Sequence, residues 1–138
     1  MDTFRSTYVY IVLAILAFLA YFQALVLWAA WAGQVDITKA VWGGVCLLVA
    51  LLGNVMGKVR RNFYVGIRTP WTIANERVWD ATHRFGAKTM VLGGLVGLAL
   101  SYAGTGFWVP FAALLAGVLA PAIYSLVYYK QLERRGEI

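Results

Sequence analysis

The stretch that decides the fold is Asn54–Gly86, NVMGKVRRNFYVGIRTPWTIANERVWDATHRFG, a polar segment set between long apolar runs. It holds the only histidine, two of the six tryptophans and a dense group of basic residues. On both sides the chain reads as membrane. Hydrophobic residues make up 62% and charged residues 13% of the 138 positions, against about 45–50% and about 25% in ordinary soluble chains. A water-soluble domain of this size has too little interior to hide that much apolar surface, so the solvent is lipid. The formal charge of +6 then reads as lysine and arginine held beside anionic lipid, with no call for direct nucleic-acid binding.

Working outward from the polar segment, the chain has room for four spans. Tyr8 to Trp31 is free of charge and covers a hydrocarbon core of about 30 Å at about 1.5 Å per residue. Ala30-Trp31-Ala32 has the small-x-small form of a signal cleavage site, but the apolar run is longer than a signal core of about 7–15 residues. It reads as a retained first span, 8–31, after a short polar tail over residues 1–7. A brief loop from Gly33 to Lys39 leads into span two, 40–56. Trp28, Trp31 and Trp42 flank that loop and mark one membrane face.

Beyond the polar segment, Thr89 to Tyr129 carries no charge and is about twice the ~20 residues one helix needs. Gly104-Thr105-Gly106 breaks it, and Pro110 suits a first helical turn. The reading is span three over 87–103 and span four over 107–129. Gly93, Gly97 and Ser101 share one face of span three, and Ala113, Gly117 and Pro121 share one face of span four. Small residues at this spacing let backbones approach where lipid provides no hydrophobic push. Pro121 removes a backbone donor and is expected to bend its helix, by packing or by opening a cavity. Cys46 is the only cysteine and reads as a small buried core residue rather than a disulfide or metal thiol.

Every basic residue except Lys39 falls at the N-terminus, between spans two and three (Lys88 at the very entry of span three), or after span four. The positive-inside rule places those three regions in the cytoplasm. The fold class expected is all-α: an integral membrane four-helix bundle over 1–138 as a single transmembrane domain. Both termini are cytoplasmic in this reading, and a structured cytoplasmic loop over 57–86 joins helices 2 and 3.

Within that loop, Lys58, Arg60 and Arg61 are explained by topology alone. The run Asn62-Phe63-Tyr64-Val65-Gly66-Ile67-Arg68-Thr69-Pro70-Trp71-Thr72 is not. Gly66 permits backbone angles closed to other residues, and Pro70 turns Thr69 away from helix. An irregular, defined segment is expected at the interface through Phe63, Tyr64 and Trp71. A helix follows, capped by Thr72 or Asn75, with Glu76 and Asp80 at its positive end, and runs into span three. Val78, Thr82 and Phe85 share one face; Trp79 and His83 share the next.

His83 with Asp80 could form an acid–base pair. The alternative is a histidine hydrogen-bonded to a carboxylate or a backbone carbonyl, which the lone imidazole favours. No second histidine or nearby cysteine points to a metal, no cofactor motif is present, and G-x-S-x-G, P-loop and H-E-x-x-H patterns are absent. Arg68, Arg84 and Lys58 could converge on a phosphate or carboxylate, or pair with Glu76 and Asp80. The candidate binding residues are Asn54, Lys58, Asn62, Arg68, Trp71, Trp79, Asp80, His83 and Arg84, with no catalytic residue assigned.

Asn54, Met56-Gly57-Lys58, Arg60, Asn62, the run Phe63 to Thr72, Val78-Trp79, Thr82-His83-Arg84 and Gly86 resemble the signature of the SdpI family of bacterial membrane proteins. The family is named for immunity to a secreted sporulation-delaying peptide toxin. The resemblance implies a multi-pass protein of the bacterial inner membrane that protects its cell from a membrane-active peptide toxin. It also implies a cytosolic face that holds a transcriptional repressor. Longer members carry extra N-terminal spans, so this chain is expected to be a short form. The residues alone leave two other readings open: an enzyme or transporter handling an anionic lipid or small anion, and an accessory subunit packing in a complex or a homo-oligomer.

Overall fold

The computed structural model describes residues 2–33 and 36–138. Positions 34 and 35, inside the expected loop after span one, lie outside the described residues, as does position 1. The described chain is helical, with no strand among the described residues. The helices are α1 (Asp2–Ala32), α2 (Thr38–Met56), α3 (Pro70–Ala74), α4 (Glu76–Tyr102) and α5 (Trp108–Arg134). Four of them, all but α3, are long and apolar enough to cross a membrane.

Two helix ends differ from the expected spans, with simple causes. α1 reaches back through the polar tail to Asp2, since nothing there breaks a helix. α4 is one helix of 27 residues: the helix expected after the loop does run into span three without interruption. α5 continues through Lys130 to Arg134, carrying its basic end out of the apolar zone.

Neighbouring long helices run antiparallel, with α2, α4 and α5 in mutual contact and α1 packed on α2. Glycine sets the spacing. A Cβ on Gly117 would stand 2.6 Å from the carbonyl oxygen of Thr89, and one on Gly93 would stand 2.9 Å from the Gly117 Cα. A Cβ on Gly94 would meet the Cys46 carbonyl at 2.6 Å. The interior is therefore built of small residues and backbone, as expected where helices associate by close packing rather than by expulsion from water. Cys46 is fully buried in it. Pro121 is buried too, with a Cβ on Gly86 reaching to 3.3 Å of it, and α5 runs through that position.

The large apolar side chains point the other way. Leu13, Leu16 and Leu27 of α1, Leu92 and Leu95 of α4, and Leu119 and Ile123 of α5 are exposed. Such a surface is costly in water and suited to hydrocarbon. Tyr21 joins α1 to α2 by donating its hydroxyl to the Ala40 carbonyl at 2.8 Å. Thr7, Val59 and Val65 line one small crevice, and Arg77 pairs with Glu137 at 2.9 Å. The start of α1, the connection between α2 and α4, and the end of α5 thus gather at one end of the bundle.

Candidate functional site

At that end the chain between α2 and α4 folds into a hydrogen-bonded loop. Asn62 organises its first half. Its Oδ1 accepts the backbone N–H groups of Tyr64 and Val65, each at 2.7 Å. Its Nδ2 donates to the carbonyls of Arg60 at 2.7 Å and Val65 at 3.1 Å. An asparagine folded onto the following backbone is a turn in itself. The Arg68 guanidinium donates to the Phe63 carbonyl and closes the turn. Phe63 and Tyr64 are left outside, 71% and 87% exposed.

The second half docks on α4. Gly66 has φ +127°, and on its open side lie the ring Nε2 of His83 and the edge of Trp79. The next residue, Ile67, donates its N–H to His83 Nε2 at 3.0 Å. The other ring nitrogen, Nδ1, lies 2.8 Å from the Trp79 carbonyl one helical turn back. Nε2 accepts, so Nδ1 carries the proton and donates: the imidazole is neutral with both nitrogens engaged by backbone. The Trp79 ring stacks on the imidazole with centroids 4.0 Å apart, and its indole N–H donates to the Val59 carbonyl at 2.9 Å. Both rings are buried. One pair of side chains on α4 thereby holds the chain just after α2 and the apex of the loop together.

Thr69 and Thr72 complete the segment. Thr72 is buried; its hydroxyl accepts the Thr69 N–H at 2.9 Å and lies 2.9 Å from the carbonyls of Ile67 and Thr69. Trp71 is half-buried, and its indole N–H donates to Ser125 Oγ at 2.7 Å. That tryptophan ties α3 to α5. Of the two expected caps, Asn75 starts α4, accepting the N–H groups of Arg77 and Val78 at 2.9 and 3.3 Å, while Thr72 belongs to α3. Thr82 is also buried, and its hydroxyl has no partner among the described residues; nothing in the structure explains it.

The candidate residues therefore divide. Asn62, Trp71, Trp79 and His83 are joined in the loop's internal bonding. Asn54, Lys58, Asp80 and Arg84 are exposed around it, and Arg68 is exposed too while its guanidinium closes the turn on Phe63. No hydrogen bond or ion pair links His83 to Asp80 among the described residues; the imidazole's partners are both backbone groups. Nor do Arg68, Arg84 or Lys58 pair with Glu76 or Asp80: the ion pair among the described residues is Arg77–Glu137. No cluster of metal-ligand side chains occurs among the described residues. Three participants were not singled out from sequence, namely Ser125, Val59 and Ile67. The last two enter these hydrogen bonds through backbone, which no side-chain pattern reveals. Ser125 did carry a signal: a hydroxyl in an apolar span wants a partner.

Four helices long and apolar enough to cross a membrane, with this docked loop between the second and the third of them, define a multi-pass membrane protein. The chain belongs to the SdpI/YfhL protein family, whose sequence model matches residues 58–128. It is 33% identical over 102 residues to the "Immunity protein SdpI" of Bacillus subtilis (strain 168), covering 72% of this chain and 49% of that protein. The chain thus spans about half the length of that curated relative. No solved structure matches it.

Proposed function

We propose that this chain is an immunity and signalling protein of the bacterial inner membrane. It acts as one transmembrane domain that protects its cell from a membrane-active peptide toxin. The observation that carries the reading is the family match over the loop and its docking helices, together with what the loop residues do. Trp79 and His83 spend their polar atoms on backbone, which suits a shaped surface better than proton-transfer chemistry. The relative bearing the immunity name supports the biological role.

In this reading the basic loop end and both termini face the cytoplasm, in accord with the positive-inside rule. The short connections near Asp36 and Thr105 face outward and meet the toxin in or on the bilayer. The exposed pair Asp80 and Arg84 on α4 belongs to the surface that reports inward, with a cytosolic repressor as the partner it holds.

The test is expression in a toxin-sensitive strain challenged with a panel of membrane-active peptides. Protection against at least one peptide, lost when the loop is unseated by Gly66→Ala, is the expected outcome. Growth inhibition equal to the empty-vector strain for every peptide, with the protein present in the membrane, would overturn it.

A further inference from the structure

The loop presents a feature that the immunity reading does not use. Phe63 and Tyr64 stand out from a turn that is fixed on every side by hydrogen bonds, while their neighbours Val65 and Ile67 are half-buried. From Gly57 to Asn75 the chain has Lys58, Arg60, Arg61 and Arg68 and no acidic residue, and all four basic side chains are exposed. Two exposed aromatic rings within a basic stretch, held on a hydrogen-bonded turn, form a prepared surface.

Its depth in the bilayer follows from helix lengths. α2 has 19 residues, about 28 Å at ~1.5 Å per residue, which matches a hydrocarbon core of about 30 Å. α4 has 27 residues, about 40 Å, so it overshoots α2 by roughly 12 Å. The loop packs against that overshoot, on Trp79 and His83 in its first two turns. Phe63 and Tyr64 consequently stand in the headgroup layer rather than out in bulk water. Aromatic rings favour that layer, and a cluster of basic residues there favours anionic lipid over neutral lipid.

We propose that the Asn62–Arg68 turn is a preformed anchor for anionic phospholipid: Phe63 and Tyr64 enter the headgroup region and Lys58, Arg60, Arg61 and Arg68 contact the phosphates. The inference depends neither on the toxin nor on which leaflet the loop faces.

The test uses the full chain reconstituted in vesicles of phosphatidylcholine alone or with phosphatidylglycerol. Tyr64→Cys carries an environment-sensitive fluorophore, and Phe63→Cys serves as an independent second position. The wild-type chain, whose single Cys46 is buried, is the labelling control. With phosphatidylglycerol the emission shifts to the blue and is quenched by lipids bearing a nitroxide near the headgroup. In phosphatidylcholine alone both effects shrink. Lys58→Gln with Arg60→Gln, exposed side chains with no ion pair among the described residues, removes the difference between the two lipids. Salt near 1 M does the same, since screening then acts within about 3 Å. Water-like, unquenched emission at both positions in both vesicles leaves the turn free for a soluble partner and overturns the proposal. Equal quenching with and without phosphatidylglycerol overturns its anionic specificity.

Discussion

The Nε2 of His83 accepts the backbone N–H of Ile67 at 3.0 Å, across sixteen residues of sequence. This bond makes the most conspicuous ionisable group of the chain a fastener. His83→Ala removes the acceptor for Ile67, the donor to Trp79 and the ring on which Trp79 stacks. A buried large-to-small change that strands a polar group costs about 2–4 kcal/mol. The expected result is a lower unfolding midpoint in detergent. Unchanged stability with lost cellular protection would instead return His83 to a chemical role.

Gly66 faces two obstacles to substitution, φ +127° and the His83 and Trp79 rings where a Cβ would go. Gly104 has φ +77° with nothing within 4 Å. Alanine at Gly104 therefore carries only a backbone penalty of about 1–2 kcal/mol. Alanine at Gly66 adds a collision and is expected to cost distinctly more and to free the loop. Limited proteolysis after Arg60, Arg61 or Arg68 separates the two: accelerated cleavage is expected in Gly66→Ala and not in Gly104→Ala.

The Gly117 position tests how α4 and α5 are held. A Cβ there would lie 2.6 Å from a backbone oxygen of Thr89 and 3.0 Å from the Gly93 Cα. Neither atom can rotate away. Gly117→Ala is expected to cost about 1–3 kcal/mol by overpacking, read as a drop in thermal midpoint. A neutral result would mean that the two helices are not in close contact in the bilayer.

Trp71 and Ser125 form a bond between side chains, so a double-mutant cycle can isolate it. Trp71→Phe and Ser125→Ala each remove one partner of the 2.7 Å contact. Their effects are expected to be non-additive by about 0.5–1.5 kcal/mol. Strict additivity would show that α3 is not tied to α5 through these residues.

The exposed charges are expected to behave differently from the buried rings. Asp80→Asn and Arg84→Gln disturb no ion pair or hydrogen bond given by the structure, and stability is expected to stay within about 0.5 kcal/mol. If this surface reports to a cytosolic partner, the same variants lower a transcriptional output while leaving protein level and protection intact.

Much of this architecture is written in composition and periodicity. The uncharged runs, their lengths against bilayer thickness and the glycine–threonine–glycine break suffice for four helices, because a bilayer imposes one strong rule: apolar length must span it with backbone bonds made internally. The small-residue stripes on α4 and α5 were likewise legible, since a 3.6-residue repeat puts Gly93 and Gly97 on one face. The location of the motif was legible as well, because nothing in topology accounts for Gly66, Pro70 or Trp71.

What tertiary structure alone decided is the sense of each motif residue. Sequence placed His83 beside Asp80, three residues apart, and left open a pair between them. The fold instead brought the Ile67 N–H to one ring nitrogen and kept the Trp79 carbonyl on the other. It turned Trp71 toward Ser125 and left Phe63 and Tyr64 outside. These outcomes depend on backbone N–H and C=O groups, which every residue carries alike, so side-chain identity does not announce which of them will meet. Within Asn54–Gly86, sequence marked the stretch as special through the residues it uses. Three-dimensional packing determined that its buried half is a clasp and its exposed half a surface.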